Sequence, residues 1–569
     1  MKVAEAIAIA NRSASADAAT HTVFLPCGFT PLHLQTYLKA HLKLRFAETH
    51  VGVETGLFGD LAGNLERVPP GSNIAAVIEW SDIDPRLGWR HSGGWGPTTA
   101  AQIPEDSARM FERILAILTR GAGRNTIAIC PPTLPISIPG HAIPALADPL
   151  RLDLEAQLAG FLKRVAALDG VRVISRAEID ANSPASDRHD LRLDLTAGFP
   201  YQTAHANVIA GALVEVLFPA TPKKGLITDL DDTLWRGIVG EIGPDAVSWD
   251  LTRHTQVHAL YQQALAAMAD YGVLIACASK NDPAVVRRAF ERPDILLPES
   301  KVFPLEAHWG AKSESVARIL NAWNIGADSV VFVDDSPIEL AEVQAKFPEI
   351  ECILFRAADV EGIGKLLARL RKLFGKQAVL EEDRIRAASL RAAVQVPAEN
   401  AAASTDFLER AEGAITFDAE KNPRDPRPLE LINKTNQFNL NGRRLTEAEW
   451  RSRMEQPESF ALTISYQDRF GPLGKIAVMA GTVKDGVAHT DVWVMSCRAF
   501  SRRIEHHTLA HIFSKLGVRE VAFDYAGTDR NGPLREFLGS MADIGKAPAR
   551  IAHAEFQNKC PALPHSVKA

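Results

Sequence analysis

Four short segments carry side chains that could act together on a phosphate group. Asp229-Leu230-Asp231-Asp232-Thr233 places two carboxylates directly after the apolar run Gly225–Thr228. Carboxylate oxygens suit a hard cation such as Mg²⁺, and the same pair suits a nucleophile beside an acid/base. Helix capping is the plainer role for such a turn. Ser279-Lys280-Asn281 follows Val273–Ala278. A hydroxyl at a strand end can hold a phosphate oxygen or cap a helix. Lys312, in Trp309-Gly310-Ala311-Lys312-Ser313, could neutralise phosphate or simply be solvated. Asp334-Asp335-Ser336-Pro337, with Glu339 beyond, ends the run Val330–Val333. Paired acids there suit a metal site or a turn.

These segments need elements that bring them to one place. Apolar strands alternating with helical patterns predict a parallel α/β sheet, which gathers its ligands at the carboxyl ends of its strands. Asp229 and Ser279 are 50 positions apart, and Ser279 and Lys312 are 33 apart. Neither gap has room for a large lid, so the site is expected to be nearly capless. The chain reads as three blocks. Residues 1–220 show the βα rhythm, with strands at Thr22–Leu25, Asn73–Ile78, Asn125–Ile129 and Val171–Ile174. Helices are expected at Leu32–Phe46 and His205–Leu217, and Pro131–Pro149 as loop. Residues 221–376 repeat the rhythm around the four segments. A charged helical linker, 377–410, with a break at Pro397–Ser404, leads to a strand-rich α+β block, 411–569. Its strands are placed at Ala414–Phe417, Phe460–Tyr466, Lys475–Thr482, His489–Met495 and Glu520–Phe523, and a helix at Glu505–Leu516.

Composition sets the outer bounds. A chain of 569 residues with 46% hydrophobic and 23% charged residues is globular, not disordered, collagenous or coiled-coil. A net charge of −6 gives no support for nucleic-acid binding. No apolar run reaches the ~18–20 residues of a membrane span; Val208–Phe218 is short and contains Glu215. The opening Met-Lys-Val-Ala-Glu does not read as a signal peptide. Cys27, Cys130, Cys277, Cys352, Cys497 and Cys560 form no CxxC pair, which fits reduced thiols and a cytoplasmic setting.

The ordered set Asp-x-Asp-x-Thr, Ser, Lys, Asp-Asp resembles the haloacid dehalogenase (HAD) phosphatase superfamily. The resemblance implies that Asp229 attacks phosphorus and Asp231 serves as acid and base. Thr233, Ser279 and Lys312 would hold the phosphoryl group, with Lys280 and Asn281 beside them. Asp335 or Asp334 would complete a Mg²⁺ site with the Asp229 carboxylate and the Asp231 carbonyl. The flank Leu234-Trp235-Arg236-Gly237-Ile238-Val239-Gly240-Glu241 looks like the FkbH-like branch, HAD subfamily IIIC. Leu431-Ile432-Asn433-Lys434-Thr435-Asn436-Gln437-Phe438-Asn439-Leu440 and Asp468-Arg469-Phe470-Gly471 are similar to its C-terminal signature. That branch implies dephosphorylation of 1,3-bisphosphoglycerate and loading of the glyceryl unit onto an acyl carrier protein's phosphopantetheine thiol, for polyketide-type assembly.

The last block resembles an N-acetyltransferase (GNAT) domain. The resemblance places a thiol at Cys497 that could hold the glyceryl unit, while a free cysteine is also a common small packing residue. Arg498, Arg502 and Arg503 are expected to lower its pKa; His506, His507 or His511 could offer a base, although surface or core packing is the plainer role for them. Ser501 and Arg503 stand where the anion-binding loop usually has glycines, leaving phosphate to arginine side chains. Asn433, Lys434, Asn436, Gln437 and Asn439 form a polar cluster that reads either as substrate-binding groups or as a hydrogen-bonded turn. The first block resembles an SGNH-hydrolase-like domain. It has no Gly-Asp-Ser start, Cys27-Gly28-Phe29-Thr30 at the first strand end, and His205 placed like that fold's late histidine. A degenerate docking domain is expected, with the Ser92-Gly93-Gly94-Trp95-Gly96 loop as a structural element or partner border. The alternatives are a phosphatase for another phosphorylated substrate and a carrier-docking scaffold.

Overall fold

The computed structural model describes the chain except residues 16–17, 93–95, 137–142, 144, 395–404, 470, 501, 546 and 569. The centre of the Ser92–Gly96 loop, the Pro397–Ser404 break, Phe470 and Ser501 therefore lie outside the described residues. Two compact units are present. The first comprises Met1–Ala220 with Asn422–Arg424 and Leu445–Gln456; the second comprises Thr221–Lys421, Asp425–Arg444 and Pro457–Ala569.

The first unit is built on β1 (Thr20–Leu25), β2 (His50–Thr55), β3 (Asn73–Val77), β4 (Thr126–Cys130) and β5 (Val171–Val173). All run parallel in the order β2-β1-β3-β4-β5. The central strands are buried on both faces, as a parallel sheet covered by helices requires. Helices Leu32–Arg45 and Thr203–Leu217 pack on one face, and Ile103–Gly121 and Pro149–Val165 on the other. Helix Glu447–Glu455, which belongs by sequence to the last block, packs with this unit. Its Arg451 donates to the Asn125 carbonyl and pairs with Asp169, both at 3.1 Å.

The second unit holds two sheets. The middle one comprises β6 (Gly225–Thr228), β7 (Leu274–Ser279), β8 (Val302–Ala307), β9 (Val330–Asp334) and β10 (Glu351–Leu354). All are parallel, in the order β10-β9-β6-β7-β8. The β6–β7 connection contains the short helix Val239–Ile242, an Arg236–Ser248 bridge and helix Gln256–Asp270. The β7–β8 connection carries helix Pro283–Phe290. Neither holds a lid domain.

The last sheet comprises β11 (Ala414–Asp418), β12 (Ser459–Asp468), β13 (Gly471–Lys484), β14 (Val487–Met495), β15 (Glu520–Phe523), β16 (Ala549–Ala552) and β17 (Ser566–Lys568). Their order is β16-β15-β14-β13-β12-β11-β17. It is antiparallel except for β14 with β15 and β11 with β17. Within the expected helical linker, Glu381–Val394 is a helix, and its Asp383 pairs with Lys376 at 2.9 Å and with Arg386 at 2.8 Å. No helix among the described residues is long and apolar enough to cross a membrane.

Candidate active site

The carboxyl end of β6 passes straight into the first motif. Asp229 N–H donates to the Val333 carbonyl at 2.9 Å, tying the motif to β9. The chain then turns sharply: the Leu230 carbonyl accepts from Leu234 N–H at 2.7 Å, and Asp232 takes a φ of +53°. Aspartate tolerates this left-handed conformation better than most residues. Its carboxylate locks the turn by accepting from Gly237 N–H at 3.0 Å.

Three acids and one lysine converge beyond that turn. Lys312 opens helix Lys312–Trp323 and is 5% exposed. Its ammonium sits 2.8 Å from Asp229 Oδ1 and 2.6 Å from Asp334 Oδ2. The second oxygen of Asp334 accepts from Ser336 N–H at 2.9 Å. One carboxylate oxygen each from Asp229, Asp334 and Asp335 lie within 4.8 Å of one another. Burial pushes all three acids up, and the neighbouring carboxylates add to the rise at Asp229 and Asp335. Burial works against the Lys312 ammonium, but Asp229 and Asp334 overcome it and hold Lys312 above its ordinary value. Three carboxylates against one ammonium leave negative charge and oxygen donors over, which fits a hard divalent cation. Lys312 and Ser336 each engage one Asp334 oxygen, whereas Asp335 lies 3.5 Å from the Thr233 hydroxyl, so Asp335 is the less engaged of the two.

Asp231 is held by three donors. Trp235 Nε1 and Val239 N–H reach Oδ1 at 2.9 and 3.0 Å, and Asn281 Nδ2 reaches Oδ2 at 2.8 Å. Asn281 also donates to Ser279 Oγ at 2.9 Å, so one amide links the first two motifs. Its own Oδ1 is buried with no donor among the described residues. Thr233 is fully buried; its carbonyl is held by His258 Nδ1 at 2.9 Å, and its hydroxyl lies 3.5 Å from Asp335. Trp235 is a functional contact that spacing alone did not flag, although it stands one helical turn after Asp231. Lys280 departs from expectation. Its ammonium pairs with Glu339 at 2.7 Å on a part-exposed surface rather than joining the cluster, and Glu342 lies close enough to feel its charge.

Cys497 lies elsewhere. It lines a cavity with Lys224, which precedes β6, and with the loop before β9. This is the amino end of the middle sheet. At ~3.3 Å per residue, the length of β6 separates it from Asp229 by roughly 16 Å. Lys434, Asn436 and Arg498 line the same cavity; Asn433 does not. The expectation of a lowered thiol pKa is corrected. Burial pushes Cys497 up, outweighing Lys224, Arg498 and Arg386, and its Sγ donates to the Asn324 carbonyl at 3.0 Å. Two of the expected cations are engaged elsewhere: Arg502 pairs with Asp468 at 3.5 Å and Arg503 donates to the Ala562 carbonyl at 2.7 Å. The candidate bases are engaged as well. His507 bonds His565 at 3.0 Å, His511 stacks on Phe417, and His506 packs edge-on against Phe537.

In the last sheet, β14 and β15 pair only as far as Thr490 and Phe523. Beyond that point Phe438–Asn441 takes up the freed backbone groups. Leu440 N–H donates to the Trp493 carbonyl at 3.0 Å and Ala526 N–H to the Leu440 carbonyl at 3.2 Å, while the Asn441 amide donates to Asp491 and Asp524 carbonyls. Part of the polar cluster thus serves as a hydrogen-bonded wedge. Arg503 adopts a φ of +53° where glycine is usual.

In the first unit, His205 is fully buried between Thr133 Oγ1 at 2.8 Å and Ser183 Oγ at 2.9 Å, and burial pushes its pKa down to about 3. Cys27 donates to the Phe29 carbonyl at 3.2 Å, and burial raises its thiol to about 12.

No protein-family model and no curated protein matches the chain. In fold it is similar to the crystal structure of the N-terminal part of the protein BF1531 from Bacteroides fragilis, described as containing a phosphatase domain complexed with Mg. The match has a TM-score of 0.51 and 17% identity, and covers 66% of this chain and 100% of that one. The likeness is one of fold.

Proposed function

We propose that the middle domain is a Mg²⁺-dependent HAD-type phosphatase centred on Asp229. The observation that carries this reading is the buried Lys312 ammonium shared by Asp229 and Asp334 beside Asp335. The Mg reported with the BF1531 phosphatase domain supports the choice of metal. Asp229 and Asp335, with the Asp231 carbonyl, would hold Mg²⁺, which would supply neutralising charge to the transferring phosphoryl group. Asp229 attacks phosphorus, and the bond to the leaving oxygen breaks as Asp231 gives that oxygen a proton. Asp231 then takes a proton from water, whose oxygen attacks the aspartyl-phosphate and releases phosphate with Asp229 restored. Trp235, Val239 N–H and Asn281 keep Asp231 oriented for both transfers. Ser279 and Lys312 would steady the phosphoryl oxygens.

The finer reading is that of an FkbH-like protein. The donor is 1,3-bisphosphoglycerate, and the glyceryl unit passes to an acyl carrier protein, with Cys497 in the transferase-like last domain as a relay thiol and the first domain as a docking module. The capless Asp229 site favours this over a scavenging phosphatase. Intact-mass measurement of protein and holo-carrier after incubation with Mg²⁺ and the donor tests it. A glyceryl adduct on the carrier is the expected result. Phosphate release with no adduct on either protein leaves the phosphatase and removes the glyceryl transfer. Loss of the adduct in Cys497→Ala, with phosphate release kept, places the thiol on the path.

A further inference from the structure

A cavity of about 490 Å³ opens at the amino end of the middle sheet. That volume suits a small molecule. Five separate segments bring cations to its wall: Lys224, Arg386, Arg427 with Lys434, Arg498, and Arg530. Arg427 and Lys434 share Glu430, Arg386 pairs with Asp383, and Arg530 pairs with Asp328. Lys224 meets one acceptor, the Lys434 carbonyl at 3.4 Å, and no carboxylate within ion-pair distance among the described residues. Burial together with the neighbouring Arg386 and Lys434 draws Lys224 down to about 8. Burial together with Arg386 and Arg427 draws Arg498 down to about 9. Asp328, Glu349, Glu430 and Asp529 line the cavity as well, so its six cations exceed its acids by two, and a bound anion offsets that excess. Guanidinium forks and an ammonium converging from separate directions match a tetrahedral dianion better than a single planar carboxylate.

We propose that this cavity is a second anion site, which holds the phosphate of a small phosphomonoester between Lys224 and Arg498, beside the Cys497 thiol. It is separate from the Asp229 centre and stands whether or not that centre is a phosphatase.

The test uses the full chain in EDTA with glycerol 2-phosphate as probe. Binding is read by calorimetry, and site occupancy by the iodoacetamide labelling rate of the Cys497 peptide in mass spectrometry. The probe is expected to slow Cys497 labelling in the wild type and equally in Asp229→Asn. Lys224→Gln and Arg498→Lys are expected to weaken binding about tenfold, the loss of one charge-assisted contact. Labelling of wild-type Cys497 that is indifferent to the probe overturns the site, whatever the variants do. Binding lost in Asp229→Asn but kept in Lys224→Gln assigns the anion to the other end of β6 and also overturns it. Malonate or the phosphodiester glycerophosphocholine binding as tightly as the monoester overturns the ligand class.

Discussion

Two five-stranded parallel sheets in this chain each bury an acid beyond the carboxyl end of their central strand, with opposite chemical results. In the first unit Glu79 follows β3, and its oxygens accept from Thr133 Oγ1 and Tyr201 OH at 2.7 Å and from the N–H groups of Thr133 and Leu134 at 3.2 Å. Burial pushes it up and these donors pull it down. All of its partners are neutral and its lone pairs are used. In the second unit Asp229 follows β6 beside two more carboxylates and shares a single ammonium. Its surroundings leave charge and oxygen valence for something else to meet. Burial of an acid at a strand end is therefore not in itself a site. The decisive difference is whether the protein completes the acid's bonding.

The sharpest way to break this comparison is to neutralise both acids. Asp229→Asn is expected to lower phosphate release from an aryl phosphate by about 10³-fold or more, the scale of losing a nucleophile. Glu79→Gln is expected to leave that rate unchanged and to lower the melting temperature of its own unit. A rate in Asp229→Asn close to wild type would contradict the nucleophile assignment. Next in size is Lys312→Met, which leaves two buried carboxylates facing each other. Its cost is about 3–5 kcal/mol by denaturant unfolding. Mg²⁺ should restore more stability to this variant than it adds to wild type, and an equal gain in both would argue against a metal among these acids.

Much of the candidate site was legible because Asp229, Ser279 and Asp334 each end or follow a strand buried along its whole length, and such strands read as short apolar runs, whereas Lys312 follows the edge strand β8. The strands that escaped reading are β2, β8, β10, β16 and β17, and every one is a sheet edge. Their burial alternates or fades: β17 is exposed throughout, and β8 is buried only at its two ends. An edge strand has one hydrogen-bonded neighbour and one open side, so its sequence lacks the apolar run. The fate of the Cys497 cluster was illegible for a different reason. Arg502 and Arg503 are close to Cys497 in sequence but are turned to Asp468 and Ala562, whereas Lys224 and Arg386 are remote in sequence yet face the thiol. Spacing reports neighbours along one element, not those that folding brings from others.

A third measurement sharpens the contrast through pH. His205 is buried neutral in the Glu79 network, with a folded pKa of about 3 caused by burial and then by Arg188. An unfolded histidine titrates near 6.5. Below that value the unfolded chain binds a proton that the folded one refuses, so the contribution of His205 is complete above pH 6.5 and is lost as pH falls toward 3. Comparing wild type with His205→Gln by urea unfolding isolates this group. The stability difference should shrink by about 2 kcal/mol between pH 7 and pH 5. A difference that does not change with pH would mean that His205 titrates alike in the folded and unfolded chains.

The smallest expected effect is the most discriminating, because it removes one neutral donor from an acid in each unit. Tyr201→Phe takes a hydroxyl from Glu79, and Asn281→Leu takes an amide from Asp231, each at nearly conserved volume. Leaving a buried acceptor short of a donor costs about 1–3 kcal/mol. At Glu79 that cost can fall only on folding, so Tyr201→Phe should lower stability and leave phosphate release unchanged. At Asp231 the donor also fixes the direction from which a proton leaves and returns, so Asn281→Leu should lower kcat by about tenfold with a smaller effect on KM. Asn281 holds Ser279 as well, and Ser279→Ala separates the two contributions. If Ser279→Ala reproduces the whole loss, the amide acts through the phosphate hydroxyl. If it does not, the remainder measures how much of the acid/base role depends on Asp231 being held in one orientation.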